Sequence, residues 1–263
     1  YYTAANDSHT HPNALTLHGA ISTCRGDLPA YATHGINTIP FYIFYSMFGL
    51  QRVGDLVWAG ADMRMRGFVV GGTSGRTTLN GEGLQHEDGN SHVLALPVPT
   101  CVSSDPTFAY ELAVIIEDGI KRMYRDEEQI FYYLTVMNEQ YAHPPMPKGA
   151  KDGILKGMYV IKPTGTPKAK LRAQLFGSGT ILTEALKAQE ILETKYNVGA
   201  DVWSVTSYGN LYKDGHAADR WNRLHPDAKP RQTHVERCLD ASQGPVIAAT
   251  DYMRTVGDLI RNW

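Results

Sequence analysis

Two kinds of apolar pattern alternate along the chain from residue 38 onward. Short runs rich in β-branched and aromatic residues are typical of buried strands, whereas apolar positions that recur every three or four residues are typical of helices. Their alternation predicts an α/β fold, with two α/β domains built on mostly parallel sheets. The predicted strands are residues 38–45, 68–70, 98–103, 130–136, 170–176, 201–205 and 246–249. The predicted helices are residues 52–66, 180–196, 217–223, 233–239 and 251–260, and one that starts at Asp105 and Pro106.

Residues 71–92, which we call the polar loop, interrupt this alternation with almost no apolar side chains. They read GGTSGRTTLNGEGLQHEDGNSH and include six glycines, three carboxylates and two histidines in 22 residues. Loops of this length in compact domains are usually functional or disordered, and strong apolar segments bracket this one closely on both sides. We therefore predict that the polar loop is an active-site loop.

A proline-rich connector, residues 143–149 (HPPMPKG), is the best candidate for a domain boundary. It separates predicted domains at residues 36–147 and 150–263. Residues 1–35 have no sustained period of either kind and are expected to form an atypical N-terminal segment.

Charge and composition exclude several classes of function. With 25 basic and 27 acidic residues the formal net charge is −2, which predicts neither nucleic acid nor an anionic membrane as partner. No apolar run approaches the ~18 residues that a membrane span requires. Cys24, Cys101 and Cys238 are far apart in sequence and suggest neither a disulfide framework nor a zinc site. Reduced thiols in a cytoplasmic protein are expected.

The polar loop concentrates the titratable side chains: Glu82, His86, Glu87 and Asp88 lie within seven positions. A histidine near carboxylates can have its proton affinity tuned for general acid–base work. The alternative is a solvated loop whose histidine has no role. The spacing of His86 and His92 could suggest a metal site, but no helix brings them together, so no metal site is predicted.

Two further motifs have a structural and a functional interpretation. Gly177, Ser178 and Gly179 lie between a strand and a helix, where backbone amides can hold a phosphate, but close strand–helix packing explains them better. Aromatic residues crowd the end of the first strand. Such a cluster is usually core, yet ligands bind at the carboxyl ends of strands in open α/β sheets, so its last members could face a planar ring. The cluster comprises Tyr42, Phe44, Tyr45 and Phe48.

Four segments resemble one enzyme family, the homodimeric bacterial pyruvate dehydrogenase E1 component. They are PFYIFYSMFGLQRVGDL from Pro40, the polar loop, DPTFAYELAVI from Asp105 and FYYLTVMNEQYAHPPMP from Phe131. DVWSVTSYGNLYKDG, RWNRLHP and ATDYMR in the second half match as well. The resemblance covers about residues 36–263. Transketolase is similar in architecture but does not share the loop.

The resemblance implies a fold, a reaction and a set of site residues. It implies a pyrimidine-binding domain followed by a transketolase-type C-terminal domain, in a cytoplasmic homodimer. The implied parent decarboxylates pyruvate with thiamine diphosphate and Mg²⁺ and transfers the acetyl group to a lipoyl-bearing E2 partner. Tyr45 and Phe48 would lie against the aminopyrimidine ring, with Phe48 stacking on it. Glu82 and His86 would line the cofactor and substrate pocket, with His86 as a polar or acid–base group, while Arg52 and Arg76 would brace the site.

The chain also departs from the family pattern. The GDG…N segment that holds Mg²⁺ and the diphosphate does not occur in it. The family's activating glutamate lies two residues before a Gly-Ala pair, and here that position is Leu17. The usual HSH is Asn90-Ser91-His92. The chain stops at Trp263, before the last expected strand and helix. A shifted reading frame or a damaged gene copy would explain residues 1–35, and it predicts a glutamate codon at position 17 in the genomic frame.

The sequence thus predicts a fragment of a thiamine-diphosphate enzyme of the pyruvate dehydrogenase E1 type that is inactive alone. One alternative is another transketolase-like enzyme that acts on sugar phosphates, which the HEDG loop disfavours. The other is a non-catalytic dimerisation or scaffold module. Leu17 favours the scaffold, while retention of the four residues that would line the site disfavours it; these are Tyr45, Phe48, Glu82 and His86.

Overall fold

The computed structural model describes residues 30–79 and 81–263, without the side chains of Tyr31 and Thr33. Its first half contains one sheet of four parallel strands in the order β1-β2-β4-β3. Parallel strands need crossovers, and helices supply them here. The strands are β1 (Phe41–Tyr45), β2 (Phe68–Gly72), β3 (Cys101–Ser104) and β4 (Phe131–Thr135). The helices are α1 (Ala30–His34), α2 (Gly49–Asp62), α3 (Ser91–Ala95) and α4 (Ala109–Ile120), which continues as a π-helical turn (Lys121–Arg125).

The second half has a mixed sheet in the order β5-β7-β6-β8. β6 pairs in parallel with β7 and β8, whereas β5 is antiparallel to β7. The strands are β5 (Tyr159–Lys162), β6 (Leu171–Gly177), β7 (Val198–Ser204) and β8 (Val246–Ala249). The helices are α5 (Ala150–Lys156), α6 (Ile181–Tyr196), α7 (Tyr208–Leu224), α8 (His234–Leu239) and α9 (Arg254–Asp258). The predicted fold class, α/β with mostly parallel sheets, is confirmed.

β1 shows a strict alternation of burial along its five residues. Tyr42 and Phe44 are buried, whereas Phe41, Ile43 and Tyr45 are exposed. Successive side chains of a strand point to opposite faces, so only one face of β1 packs on the core. α2 covers that face with its buried stripe, which includes Leu50, Val53, Val57 and Gly60.

Glu111, at the start of α4, connects the two halves through hydrogen bonds of its buried carboxylate. Oε2 accepts from the backbone N–H groups of Thr107 (2.6 Å) and Phe108 (3.0 Å), which caps the helix. Oε1 accepts from the hydroxyls of Tyr159 (2.7 Å) and Ser204 (2.6 Å), both in the second sheet. Four donors thus satisfy one carboxylate, as burial of a charged group requires.

Most predicted elements form within a few residues of the expected bounds, but two helix starts were wrong. The helix expected at residues 217–223 begins at Tyr208. The helix expected at Asp105 and Pro106 begins at Ala109, after the capping residue Phe108. Asp105 is not a cap, because its carboxylate is turned into the interior, where Thr135 binds it. The short elements α1, α3, α5 and β5 were not predicted from the sequence.

In the part of the chain that the structure describes, no helix is long and apolar enough to cross a membrane. The two cysteines within it, Cys101 and Cys238, are free thiols. Leu17, Cys24 and the Gly19-Ala20 pair, on which parts of the sequence analysis depend, lie outside the described residues.

Candidate active site

The site lies at the carboxyl ends of the strands of the first sheet. Tyr45 ends β1, Gly72 ends β2 and Thr135 ends β4, and the polar loop starts where β2 stops. In a parallel sheet these ends meet at one edge, which is where ligands bind in open α/β folds. The close approach of the strands leaves little space there: a Cβ added at Gly71 would lie 2.6 Å from the hydroxyl of Tyr133.

At this edge, Tyr45, Phe48 and His86 form what we call the ring cluster. The His86 ring lies 5.7 Å from the Tyr45 ring and 5.1 Å from the Phe48 ring, both edge-on. The guanidinium carbon of Arg52 lies 4.3 Å from the centroid of Phe48, a cation–π contact. The structure therefore brings together four of the side chains singled out in sequence, although the polar loop separates His86 from the others by more than thirty positions.

His86 presents an open hydrogen-bonding position in this cluster. Its Nδ1 is buried and has no hydrogen-bond partner among the described residues. A buried polar atom without a partner costs free energy, and such exceptions in folded proteins often mark a place for a ligand or water. Tyr45, beside it, is 52% exposed, so the cluster is open on one side.

The other predicted loop residues lie near the ring cluster without joining it. Glu82 is four positions before His86, and its side chain is exposed. Arg76 is exposed too, and its guanidinium lies over the backbone of Gly89, where an added Cβ would be 2.0 Å from Nη2. Arg76 thus closes the neck of the loop. That Arg76 braces the site stays a prediction; its guanidinium lies beside Gly89 of the same loop.

Behind the ring cluster, a chain of buried hydrogen bonds runs along the same sheet edge. The hydroxyl of Thr135 donates to Oδ1 of Asp105 at 2.6 Å, and Nε2 of His92 lies 3.0 Å from the same hydroxyl oxygen. When Asp105 is ionised, Thr135 donates to it, and the hydroxyl oxygen can accept from Nε2 of His92.

Burial sets the protonation states of His92 and Asp105, the two ends of this series of hydrogen bonds. It lowers the pKa of His92 to about 4, with the charge of Asp88 partly opposing the shift. Burial also raises the pKa of Asp105 to about 7, while hydrogen bonds from Thr135 and Ser178 act in the opposite direction. At neutral pH His92 is uncharged and Asp105 is close to half-protonated.

Because the pKa of Asp105 is raised, the free energy of unfolding should depend on pH, and Asp105→Asn should remove this part of the dependence. The folded chain binds the Asp105 proton more tightly than the unfolded chain, whose pKa is near 3.8, so its contribution is lost as pH rises from about 4 through about 7. The asparagine variant lacks this loss. Between pH 5 and pH 8, its free energy of unfolding should rise relative to wild type by about 2–3 kcal/mol.

Urea denaturation of both chains at pH 5, 6, 7 and 8 measures this difference. Asp55→Asn, which changes an exposed carboxylate, is the matched control, and its difference from wild type should stay flat with pH. A flat profile for Asp105→Asn would contradict the raised pKa.

The Gly177-Ser178-Gly179 turn is explained by packing, as expected. A Cβ at Gly177 would lie 2.7 Å from the Cα of Leu182 in α6, and one at Gly179 would lie 2.8 Å from Oδ2 of Asp105. The turn presses against the first half of the chain, so the sheet edge carries residues from both halves.

Sequence reasoning missed the Asp105–Thr135–His92 chain. The sequence pattern predicts a helix start at Asp105 and places Thr135 within a strand, with no sign that the two side chains meet. The available signal was a polar residue at the carboxyl end of an otherwise apolar strand. Among the described residues, no group of three or more His, Cys, Asp or Glu side chains could hold a metal ion.

Comparison with known families matches both halves of the chain. The family described as "Pyruvate dehydrogenase E1 component middle domain" matches residues 1–144. The family described as "Transketolase-like TK C-terminal domain" matches residues 157–262.

Curated relatives are similar over most of this chain. The pyruvate dehydrogenase E1 component of Pseudomonas aeruginosa is 56% identical over 245 residues, which is 93% of this chain and 28% of that protein. The protein of the same name from Escherichia coli is 50% identical over 235 residues, 89% of this chain and 26% of that protein. The chain thus spans little more than a quarter of the length of these relatives.

Solved structures share the fold at low sequence identity. A transketolase from Leishmania mexicana superposes with a TM-score of 0.61 at 16% identity, over 91% of this chain and 30% of its own. A split-gene transketolase, an inactive β4 tetramer, gives 0.56 at 15% identity, over 92% of this chain and 76% of its own. The fold is therefore transketolase-like. Since the middle-domain family matches more than half of this chain, the chain belongs to the pyruvate dehydrogenase E1 component middle domain family.

Proposed function

We propose that this chain is the pyrimidine-binding and C-terminal part of a thiamine-diphosphate-dependent pyruvate dehydrogenase E1. Its parent decarboxylates pyruvate and transfers the acetyl group to a lipoyl-bearing E2 partner, as a cytoplasmic homodimer. The observation that carries the proposal is the ring cluster, in which His86 offers an unpartnered Nδ1 beside an open Tyr45. Family membership supports the same assignment.

The ring cluster fits the aminopyrimidine end of the cofactor. Arg52 covers one face of Phe48, so a planar ring would stack on the other face, beside Tyr45. Thiamine diphosphate, when bound, supplies a nucleophilic carbon for attack on the keto carbon of a 2-oxo acid. His86 would hold or move a proton at Nδ1 next to the substrate, and exposed Glu82 would complete the pocket wall.

The diphosphate end of the cofactor does not fit the described residues. They contain no cluster of acidic or histidine side chains that could hold Mg²⁺. The groups that hold the diphosphate and the metal would therefore come from another part of the parent dimer. For this reason we expect the chain to be inactive alone.

The experiment is a pair of chimeras in the Pseudomonas aeruginosa relative. In one, residues 36–263 of this chain replace the matching segment; in the other, residues 1–263 do. The first should oxidise pyruvate with an artificial electron acceptor at a rate within about tenfold of the relative. The second should be slower by 10²–10⁴-fold, the usual contribution of an acid–base group, because it carries Leu17 in place of the activating glutamate.

The same chimeras separate the alternatives. If the first chimera is folded and dimeric but active only with a sugar phosphate, the transketolase-like alternative holds. If the first chimera is folded but has no activity with either substrate, the alternative of a non-catalytic scaffold holds. Leu17→Glu in the longer chimera is the matched control, and recovered activity would assign its silence to that residue.

A further inference from the structure

The segment Thr250–Met253, which joins β8 to α9, contacts both ends of the polar loop. Oδ2 of Asp251 accepts from the backbone N–H groups of Arg76 (3.2 Å) and Thr77 (3.3 Å). Oδ1 accepts from the hydroxyl of Thr77 at 2.5 Å. A single carboxylate from the second half of the chain thus receives three hydrogen bonds from the start of the polar loop.

The residues after Asp251 hold the end of the same loop. The backbone N–H of Met253 donates to the carbonyl of Gly89 at 2.9 Å. The ring of Tyr252 packs edge-on against His92, with centroids 4.8 Å apart. Asp251, Tyr252 and Met253 therefore form a continuous contact that spans the neck of the polar loop.

The start of the loop has a backbone conformation that needs such support. Thr73 has a φ of 52° and Gly75 a φ of 85°. The left-handed region is a real outlier for a β-branched residue and persists only where surrounding contacts enforce it. A Cβ at Gly75 would lie 2.6 Å from Oδ2 of Asp251, so the carboxylate sits directly against this turn.

His86 lies between the two held points, at Arg76–Thr77 and at Gly89. Its ring position against Tyr45 and Phe48 follows from how the loop is fixed, because its own ring nitrogen Nδ1 has no hydrogen-bond partner among the described residues. We propose that Asp251 is a positioning residue, which fixes the polar loop so that His86 faces Tyr45 and Phe48. The catalytic consequence rests on the proposed function; the structural one does not.

Hydrogen exchange of this chain tests the structural claim. Asp251→Asn keeps the shape of the side chain but removes its negative charge, so the three hydrogen bonds to the loop lose their charge-assisted strength. Peptides that span residues 73–92 should then exchange at least about tenfold faster, because local opening becomes easier there. Peptides from β4 and β7 should keep their wild-type rates. Unchanged loop exchange, or equal acceleration in every peptide, would overturn the proposal.

Two further variants make the assignment specific. Asp258→Asn removes an exposed carboxylate from the same part of the chain, where it pairs with Arg254, and should leave the exchange of the loop unchanged. Thr77→Val keeps Asp251 but removes one of its donors, and should accelerate loop exchange by less than Asp251→Asn. In the double variant the acceleration of exchange should fall short of the product of the two single effects, since both changes act on the same contact.

The catalytic claim is tested in the chimera with residues 36–263. Asp251→Asn should lower kcat/KM for pyruvate by about tenfold or more, and adding Thr77→Val should lower it by less than Thr77→Val does alone. An active chimera whose activity is untouched by Asp251→Asn would overturn the positioning role. A chimera that is inactive with wild-type Asp251 would refute the proposed function instead, and the exchange result would stand by itself.

Discussion

Glu111→Ala is expected to lower the free energy of unfolding by about 4 kcal/mol or more, which is a large part of the stability of an ordinary domain. The substitution leaves four donors without their acceptor: the backbone N–H groups of Thr107 and Phe108 and the hydroxyls of Tyr159 and Ser204. Each buried donor without a partner costs about 1–3 kcal/mol. Because two of the donors lie in each half, both sheets should be affected together.

Urea denaturation followed by circular dichroism measures this loss. Glu111→Gln keeps the shape and one acceptor oxygen, so its loss should be smaller. Glu117→Ala is the matched control on the same helix, since that carboxylate is exposed and pairs only with Lys151 at the surface. Such pairs contribute little, and the control should stay within about 1 kcal/mol of wild type. A Glu111→Ala chain as stable as the control would contradict the connecting role.

His86→Ala is expected to lower kcat/KM for pyruvate by 10²–10⁴-fold in the chimera with residues 36–263, the range typical of an acid–base group. Within the ring cluster, His86 is the residue that comes from the polar loop, and its Nδ1 has no hydrogen-bond partner among the described residues. Because the ring cluster is open on one side, loss of the His86 ring should change the stability of the fold little. Steady-state kinetics with pyruvate, together with the melting temperature, separate the two effects.

His225→Ala is the control for this variant. His225 is exposed and stacks on Trp221, far along the chain from the polar loop, so its removal should leave kcat/KM unchanged. Tyr45→Phe, which removes only a hydroxyl at the site, should have an effect smaller than that of His86→Ala. Full activity of His86→Ala would exclude an acid–base role.

Local patterns predicted the sheets of this chain but not every element between them. Five-residue strands such as β4, buried along their whole length, stand out as apolar runs. β5 does not, because it follows Gly157 closely and ends in exposed Lys162. Asp105 and Pro106 look like a helix start, yet burial of the Asp105 carboxylate against Thr135 moves the first turn to Ala109. Tertiary contacts overrode the local signal there.

The site shows the same division. The meeting of Tyr45 and Phe48 with a loop at a sheet edge follows from strand order. The titratable residues of the polar loop pointed to His86, and the resemblance to a known family gave it a role. The hydrogen bond between Thr77 and Asp251 could not be predicted, because the two residues are 174 positions apart and follow strands of different sheets. Nothing in the local sequence distinguishes Asp251 from other aspartates, and it contacts the polar loop only because the two halves of the chain pack together.

The alternation of burial along β1 has a consequence for the chemistry of the site. Tyr45 pairs in register with Gly72, the residue from which the polar loop departs. Were the strand to slip by one residue, every side chain would change face, and the phenol of Tyr45 would turn inward while the hydroxyl-free ring of Phe44 turned outward. The pairing of two strand ends therefore decides whether the open wall of the site carries a phenolic oxygen at all.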